Sequence, residues 1–263
     1  MRNREQPVKV ATFNVNSLRA RLDIVVDWLR DNRPDVLAVQ ETKVQDHDFP
    51  GEAFDEIGYQ YVFKGQKSYN GVALFSPHAI REVEFGFPDE PKDEPRLVRA
   101  SVNGLTIVNT YVPQGFLPDS DKFRYKLEWF ARLDAYFRSG YKPTDLLLWV
   151  GDLNVAPEPI DVYDPEALAG HVCFCPEVRE ALQTVMAWGF TDLFRRHCSE
   201  PGQYSFWDYR AGNAFKQNLG WRLDHILGTK TLARRCRRCI IDKGPRAAVR
   251  PSDHTPVVAE FDL

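Results

Sequence analysis

The sequence predicts an α/β fold in which two β-sheets pack face to face with helices outside them, although a mixed single sheet fits the same pattern. The first observation is a series of short apolar runs rich in β-branched residues, typical of strands buried on both faces. The second is a smaller set of longer stretches with apolar residues at helical spacing. Strands and helices occur in both halves without a long linker or a short repeat, so we expect one domain over residues 1–263.

The first elements follow a charged and polar segment, residues 1–7. VKVATFNV predicts a buried strand, and RLDIVVDWLRDN predicts a surface helix that stops before Pro34, which a helix interior does not accept. DVLAVQ predicts a second buried strand that delivers Glu41 at its end. Because no apolar stretch at the start is long enough for a signal peptide or a membrane span, we expect a soluble, cytoplasmic protein with no membrane partner.

The rest of the chain repeats this alternation. GVALFS, LVRASV, LTIVNTYV and LLLWVGDL predict strands, and helices are predicted over 121–138 and 177–188. DHILG and TPVVAEFDL return to strand character near the C-terminus, whereas Pro-rich stretches at 88–95 and 156–165 predict loops. RRCRR at 234–238 is the densest positive segment, and it is interpreted either as an exposed turn or as a DNA contact.

Composition limits the function only in part. A net charge of −3 excludes a generally basic nucleic-acid coat, but a local basic patch can still steer a polyanion. Five cysteines are an odd number, which argues against a secreted disulfide framework and favours reduced thiols. Their C-x-C and C-x-x-C spacings leave a zinc site as a disfavoured alternative, the five being Cys173, Cys175, Cys198, Cys236 and Cys239.

Polar clusters carry the chemistry. Taken singly, each could be a turn former or a helix cap. Their coincidence is harder to assign to turns, because each is flanked by strand-like sequence in which an unpaired charge is costly. Carboxylates and amides gathered without cysteine suit a hard cation such as Mg²⁺ or Mn²⁺, and so predict a phosphoryl-transfer site. The clusters are Asn14 with Asn16, Glu41 with Lys43, Asp152 with Asn154, Asp224 with His225, and Asp253 with His254.

Seven motifs make a resemblance specific. TFNVNSLRAR, LAVQETKV, GVALFS, NTYVPQG, GDLNVAP, WRLDHIL and PSDHTPV resemble, in order, the signatures of the exonuclease III and apurinic/apyrimidinic endonuclease family, and they all lie within residues 8–258. The resemblance implies a deoxyribonuclease-like, four-layer αββα sandwich. It also implies a DNA repair nuclease that cuts the phosphodiester 5′ to abasic sites in double-stranded DNA and also acts at 3′ ends as phosphodiesterase, phosphatase and 3′ to 5′ exonuclease. A monomer that uses Mg²⁺, with Mn²⁺ as an alternative, is expected.

The resemblance also implies roles for single residues. Glu41 would be the principal metal ligand, and Asn14, Asn16 and Asp253 would complete the shell directly or through water. The structural alternative for Glu41 is a helix cap or a surface salt bridge.

The implied catalytic residues are Tyr111, Asp152, Asn154, Asp224 and His254. Asp224 would orient His254 against the phosphate and keep it cationic. Asp152 would orient or deprotonate the attacking water while Asn154 fixes its geometry. Tyr111 would donate to developing negative charge, with core packing as the alternative. The remaining histidines are interpreted as surface or packing residues.

Substrate contacts are predicted from a second set of residues. Aromatic and apolar groups in the YSFWDYRAGNAFKQNLGWRLDH stretch could enclose a sugar that lacks its base, although a plain hydrophobic core is the competing interpretation. Phe206 and Trp207 come first in this stretch and Trp221 follows, whereas the enterobacterial exonuclease III pattern has Trp and Phe in the other order. This difference leaves the balance between endonuclease and exonuclease activity open. The predicted contacts are Phe206, Trp207, Trp221 and Leu223 for the sugar, and Arg19, Lys43, Arg222 and Gln114 for the DNA backbone.

Other functions remain open from sequence. A phosphomonoesterase or a lipid phosphodiesterase of the same superfamily is one alternative, and a catalytically silent DNA-binding module is another. The complete acidic set disfavours the silent module. The NTYVPQG motif contains no histidine, which disfavours the secreted deoxyribonuclease and sphingomyelinase branches.

Overall fold

The computed structural model describes residues 7–89 and 92–263, so residues 1–6 and two positions of the predicted 88–95 loop lie outside it. The strands are β1 (Val8–Asn14), β2 (Val36–Gln40), β3 (Gln60–Lys64), β4 (Val72–Ser76), β5 (Ile80–Phe85), β6 (Leu97–Val102), β7 (Leu105–Tyr111), β8 (Leu147–Asp152), β9 (Phe190–Asp192), β10 (Asp224–Thr229), β11 (Cys236–Ile241) and β12 (Val257–Phe261). The α-helices are α1 (Leu22–Asn32), α2 (Glu52–Asp55), α3 (Asp121–Gly140), α4 (Pro176–Ala187), α5 (Leu193–His197), α6 (Ala214–Gln217) and α7 (Lys230–Arg235).

The strands form two six-stranded mixed sheets. The first has the order β11-β12-β1-β2-β4-β3, and the second has the order β5-β6-β7-β8-β10-β9. In each sheet the parallel pair lies near the centre, β1 with β2 and β7 with β8. Parallel neighbours need a long crossover, which α1 and α3 supply.

Three apolar clusters define four layers. Residues of both sheets, such as Val10 and Ile107, share the central cluster. The outer face of the first sheet packs on α1 through Phe13 and Leu29, and the outer face of the second packs on α3 and α4 through Trp149 and Leu133. The predicted pair of packed sheets with external helices is therefore confirmed, and the mixed single sheet is not what forms.

Local sequence explains where the long helices begin and end. The Ser120 side chain accepts a hydrogen bond from the backbone N–H of Phe123, which caps the first turn of α3. After α1 the chain turns at Arg33, whose left-handed φ of 46° lets its N–H reach the carbonyl of Leu29 before Pro34. The three helices predicted from apolar spacing are confirmed, with ends that agree to within two residues.

The interpretation of residues 234–238 as an exposed turn is wrong. These residues end α7 and begin β11, which pairs with β12 at the edge of the first sheet. Asp224 is the first residue of β10, and α7 begins directly after the last residue of that strand. Residues 234–238 therefore lie toward the opposite end of β10 from Asp224. This position gives no support for a contact between RRCRR and DNA bound near Asp224.

Candidate active site

The predicted catalytic clusters meet at one end of the two sheets. Asn14 closes β1, and Glu41 comes directly after β2, in the first sheet. Tyr111 and Asp152 close the parallel strands β7 and β8 of the second sheet. Asp224 begins the antiparallel strand β10 beside Asp152 in the ladder. Five separate segments of the chain therefore deliver polar side chains to a single edge.

Asn14 joins the two sheets at this edge. Its buried side-chain amide donates to Glu41 Oε1 at 2.9 Å and to Asp152 Oδ2 at 2.8 Å. Its carbonyl oxygen accepts the backbone N–H of Asn16 at 3.0 Å. Both amide protons and one oxygen lone pair are thus used. Asn14 fixes the separation of two carboxylates that belong to different sheets.

Glu41 sits beside a cation of the chain itself. Lys43 Nζ lies 2.7 Å from Glu41 Oε2 and also donates to Asn16 Oδ1 at 2.5 Å. Burial alone would raise the pKa of Glu41, but Lys43 and the Asn14 amide outweigh it and lower that pKa below its usual value. Glu41 is therefore held as an anion, which suits a residue that binds a positive charge.

The pKa of Asp152 is shifted upward, in the opposite direction from that of Glu41. It is 1% exposed, and its Oδ1 accepts the backbone N–H of Asn154 at 2.9 Å. Burial raises the pKa of Asp152 to about 7, with the positive His254 opposing the shift and the negative Asp224 adding to it. A carboxyl group with this pKa is able to take up a proton near neutral pH.

His254 forms a buried pair with Asp224. Its Nδ1 lies 2.8 Å from Asp224 Oδ2, and its Nε2 lies 3.7 Å from Asp152 Oδ2. Burial would lower the pKa of His254, but the carboxylates of Asp224 and Asp152 outweigh it and raise the pKa to about 10. The imidazolium form therefore predominates at neutral pH, and its Nε2–H faces the catalytic acids.

Tyr111 stands between the acids and an arginine. Burial, followed by the negative charges of Glu41 and Asp152, raises the pKa of its phenol well above the usual value, so the hydroxyl stays protonated. The Arg96 guanidinium lies 4.9 Å from the centre of the ring and donates to the Tyr111 carbonyl at 3.3 Å. Tyr111 is thus placed as a hydrogen-bond donor.

The donor set fits a hard divalent cation. Carboxylate oxygens of Glu41 and Asp152 lie within 4.8 Å of each other and of a ring nitrogen of His254. His254 as an imidazolium has no lone pair for a metal, so the two carboxylates supply the donor oxygens. In addition, the buried oxygen Oδ1 of Asp224 has no hydrogen-bond partner among the described residues. Oxygen donors with spare acceptor capacity are what Mg²⁺ and Mn²⁺ require. Asp253 and Asn16 bond to each other at 2.9 Å, outside this group, and their role as ligands stays a prediction.

A pocket of about 600 Å³ opens in front of these residues. Phe206 lies along one wall, with its ring 4.8 Å from the ring of His254. Its backbone pairs with both His254 and Trp221, which brings three predicted residues to one place. Gln114 and Leu223 also line the pocket. Ten of the predicted site residues share its wall, the other five being Glu41, Tyr111, Asp152, Asn154 and Asp253.

His171 also lines this pocket, which the sequence interpretation did not anticipate. Its ring centre lies 4.7 Å from that of Trp221, on the apolar side of the pocket. Burial lowers the pKa of His171, and Lys126 adds to the effect, so the ring is neutral at pH 7. The side chain is exposed at the pocket surface, and its Nδ1 accepts the backbone N–H of Cys173 at 3.1 Å. Nothing in the segment AGHVCF distinguishes it from a surface loop.

Two predicted substrate contacts are wrong. Arg222 is 1% exposed, and its guanidinium is paired with Asp161 at 2.7 Å and with Asp192 at 2.8 Å, so it has no free face for a phosphate. Trp207 is fully buried in a small cluster with Tyr204 and Ala214 rather than in the pocket. Their sequence neighbours do line the pocket, because side chains of extended residues alternate between two faces.

Arg19 and Lys43 have different surroundings. Arg19 is exposed and lines a separate groove of about 900 Å³ beside α1, so a DNA contact there stays a prediction. Lys43 is part of the catalytic cluster through Glu41, as described above. Lys126, by contrast, was not predicted. It lies fully buried beneath the pocket on α3, and its place on the apolar stripe between Phe123 and Phe130 is the sequence feature that could have revealed it.

Two packed sheets that bring carboxylates, amides and an imidazolium to a shared edge define a hydrolase of phosphate esters. A donor group for a hard cation and a proton acceptor with a pKa near neutrality lie side by side there.

The comparisons with known proteins agree. The model of the endonuclease/exonuclease/phosphatase family matches residues 11–254. An exodeoxyribonuclease III from Haemophilus influenzae is 34% identical and covers 97% of this chain and 100% of its own. An AP endonuclease structure from Archaeoglobus fulgidus has a TM-score of 0.95 at 49% identity, and a 3′ phosphatase from Neisseria bound to a product DNA hairpin has 0.91 at 39%; each covers 97% of this chain and 100% of its own. The chain belongs to the endonuclease/exonuclease/phosphatase family.

This result confirms the resemblance found in the seven motifs, and it identifies the chain as a nuclease-type hydrolase of a metal-dependent family. No helix within the described residues is both long and apolar enough to span a membrane.

Proposed function

We propose that this protein is a DNA repair nuclease that hydrolyses the phosphodiester 5′ to abasic sites in double-stranded DNA and removes blocking groups and nucleotides from 3′ ends. The observation that supports this most is the bridge of Asn14 between Glu41 and Asp152, with His254 beside them, at the bottom of a pocket with an aromatic wall. The relatives act on abasic sites, on 3′ phosphates and on DNA ends, as their names state.

In the proposed reaction Asp152, His254 and Tyr111 each have a separate role. Asp152, held by Asn154, takes the proton of the attacking water because its pKa is near 7. His254 donates Nε2–H to a phosphate oxygen while Asp224 holds Nδ1. The protonated phenol of Tyr111 donates to the same developing charge.

Mg²⁺ is the ion that we propose for the site, with Mn²⁺ as a substitute. Glu41 would hold it, aided by Asn14 and by Asn16 and Asp253 directly or through water. When bound, such a cation neutralises charge on the phosphate in the transition state. Lys43 forms an ion pair with Oε2 of Glu41 and so keeps that carboxylate ionised before a metal ion binds.

A tetrahydrofuran-containing duplex tests the proposal, with and without Mg²⁺. The expected result is one metal-dependent cut immediately 5′ to the analogue that leaves a 3′ hydroxyl. A matched duplex without the lesion and a 3′-phosphate end report the other two activities. Cleavage of a phosphomonoester or lipid substrate without action on any of these DNAs would contradict the proposal.

The position of His171 favours a second candidate, in which processing of 3′ ends dominates over incision at abasic sites. The imidazole packs on Trp221 within the aromatic part of the pocket and reduces the room for a flipped deoxyribose. The Neisseria relative described above is itself a 3′ phosphatase.

Replacing His171 with Gly separates the two candidates. If the imidazole restricts the pocket, H171G raises kcat/KM on the abasic analogue by about 10-fold or more and leaves 3′-phosphate removal nearly unchanged, because about 1.4 kcal/mol corresponds to 10-fold. His197 is exposed and distant from the pocket residues, so H197G is the matched control. An equal change in both activities would contradict the candidate.

We further propose that the chain acts as a single catalytic domain and as a monomer in the cytoplasm. Mass photometry at the assay concentration tests the monomer, and fractionation with an antibody tests the compartment.

A further inference from the structure

The side chain of Lys126 lies on the buried side of α3, directly beneath the catalytic pocket. It is 0% exposed. Its Nζ donates to the backbone carbonyls of Asn154 at 2.7 Å, Val172 at 2.8 Å and Gln114 at 3.1 Å. All three acceptor residues line the pocket, yet they come from three distant loops.

The three acceptors match the charged form of the amine. Burial lowers the pKa of Lys126, and the nearby Cys173 and Asp152 oppose that shift. An ammonium has three N–H donors, one for each carbonyl, whereas a neutral amine has two and would turn its lone pair toward the third oxygen. No carboxylate of the described residues forms a hydrogen bond or an ion pair with Lys126, and the nearby Cys173 thiol, 4.0 Å away, has its pKa raised by burial. The charge is therefore balanced by carbonyl dipoles, which is a costly arrangement for a residue with only a packing role.

One of the three acceptors is part of the proposed chemistry. Asn154 orients Asp152 through its backbone N–H, and its side-chain amide donates to the carbonyl of Val112 at 3.0 Å and lies 3.4 Å from Asp152 Oδ2. A change in the backbone position of Asn154 moves both contacts to Asp152. Lys126 holds the carbonyl of this same residue with the shortest of its three hydrogen bonds.

We infer that Lys126 is a positioning residue of the hydrolytic site, and that it acts through Asn154 by fastening three pocket loops to one ammonium. This inference rests on the proposed function. It goes beyond that function because Lys126 touches neither substrate nor metal ligand, and because it makes α3 part of the catalytic apparatus.

The first test compares K126M with the wild type on the DNA substrate that the wild type cleaves best. Met keeps the length and removes the three donors. The expected result is a fall in kcat of about 30-fold with KM within about 3-fold, since catalytic geometry is lost while DNA contacts stay. K142M, a change at an exposed lysine two residues after α3, should leave both constants unchanged. K126Q, which keeps two donors, should lie between K126M and the wild type and provides the readout if K126M does not fold.

A double-mutant cycle separates positioning from general destabilisation. If Lys126 acts through the backbone of Asn154 on Asp152, K126M added to D152N lowers kcat by no more than about 3-fold further, although K126M alone has a large effect. Added to Y111F, K126M should retain its full effect, because Lys126 makes no contact with Tyr111 among the described residues. L133A, a core change on the same helix, reports what a loss of melting temperature alone does to kcat.

The outcomes distinguish this inference from the proposed function. A wild-type protein that cleaves none of the DNA substrates overturns the proposed function. An active wild type whose folded K126M variant keeps kcat within about 2-fold overturns only the inference. So does a fully multiplicative effect in the D152N background, because it would show that Lys126 acts elsewhere than on Asp152.

Discussion

Two carboxylates at the centre of the site differ in their ionisation because their neighbours differ. Glu41 faces Lys43 and keeps a low pKa, whereas Asp152 is buried beside Asp224 and has a pKa raised to about 7. Environments that drive the pKa values of adjacent acids apart are how a site assigns one acid to a cation and the other to a proton. The two residues should therefore respond differently to the same chemical substitution.

Glu41→Gln should abolish metal-dependent turnover while folding stays intact. The amide keeps the size of the side chain and its contact with Asn14, but it loses the charge that would hold the cation. The measurement is cleavage of the tetrahydrofuran duplex over a Mg²⁺ titration, with melting temperature as the check on folding. Full activity of E41Q would refute the assignment of Glu41.

Asp152→Asn should lower kcat by about 10²- to 10⁴-fold, the usual contribution of a general base, because an amide cannot accept the proton of water. The backbone N–H of Asn154 still finds an oxygen acceptor in the variant. D27N on the exposed face of α1 is the matched loss of one negative charge. Near-normal turnover of D152N at neutral pH would remove Asp152 from the role of base.

The sequence motifs were sufficient to predict the polar residues at strand ends, since the end of a strand fixes where its last side chain lies. They were insufficient for Arg222 and Trp207. Arg222 is buried because Asp161, 61 positions earlier, reaches it, and such a partner cannot be inferred from local pattern. The same limit hid His171, whose significance comes only from its contact with Trp221.

At the level of elements, β10 is fixed to the neighbouring loop by a buried polar network. Arg222, just before β10, donates to Nδ1 of His225 at 2.9 Å, and Nε2 of His225 donates to the carbonyl of Val155 at 2.9 Å. Burial lowers the pKa of His225 to about 4, with the positive charge of Arg222 as the next cause. Protonation would place a hydrogen on Nδ1 against the guanidinium.

The network should make stability depend on pH. The folded pKa of His225, about 4, is below its unfolded value of 6.5, so the stabilisation is present above pH 6.5 and is lost as the pH falls toward 4. Between pH 7 and pH 4.5 this residue should account for a loss of about 2 kcal/mol in the free energy of unfolding.

Urea unfolding of the wild type and of H225Q at pH 7 and at pH 4.5 measures this loss in the free energy of unfolding, as the difference between the two proteins. H197Q, a change at an exposed histidine, is the control. Parallel pH dependence of the wild type and H225Q would contradict the assignment.

Elements were predicted well where both faces of a strand are buried. The β2 and β4 segments are buried throughout, and their continuous apolar runs predicted them. In contrast, β3 and β5 are edge strands with exposed and half-buried residues, and their mixed sequences gave no pattern. The missed β11 is likewise an edge strand with exposed arginines.

For the whole molecule, a small polar group ties the two sheets together below the site. Asn109 on β7 donates to the carbonyls of Val39 and Ala73 at 3.0 Å each and accepts from Gln40 at 2.7 Å. All three partners belong to the first sheet, whereas Asn109 belongs to the second. The hydrogen bonds therefore fix the register between layers that apolar contacts alone would leave free to slide.

Asn109→Ala should lower the free energy of unfolding by about 3 kcal/mol, because it removes three buried hydrogen bonds between the sheets. Chemical denaturation of N109A and of Q183A, an exposed change on α4, measures the difference. The transition should stay a single step. A loss no larger than that of Q183A would show that the group does not couple the sheets.

The pairing of β1 with β12 has a consequence for synthesis on the ribosome. The central strand of the first sheet has one neighbour about 250 positions later in the chain, and His254 enters with that neighbour. A growing polypeptide that has already made Asn14, Glu41 and Asp152 still lacks the imidazole and the strand that seats it. Under the proposed function, a chain that ends before this late segment should therefore cleave no DNA, because it lacks both His254 and the strand that holds it.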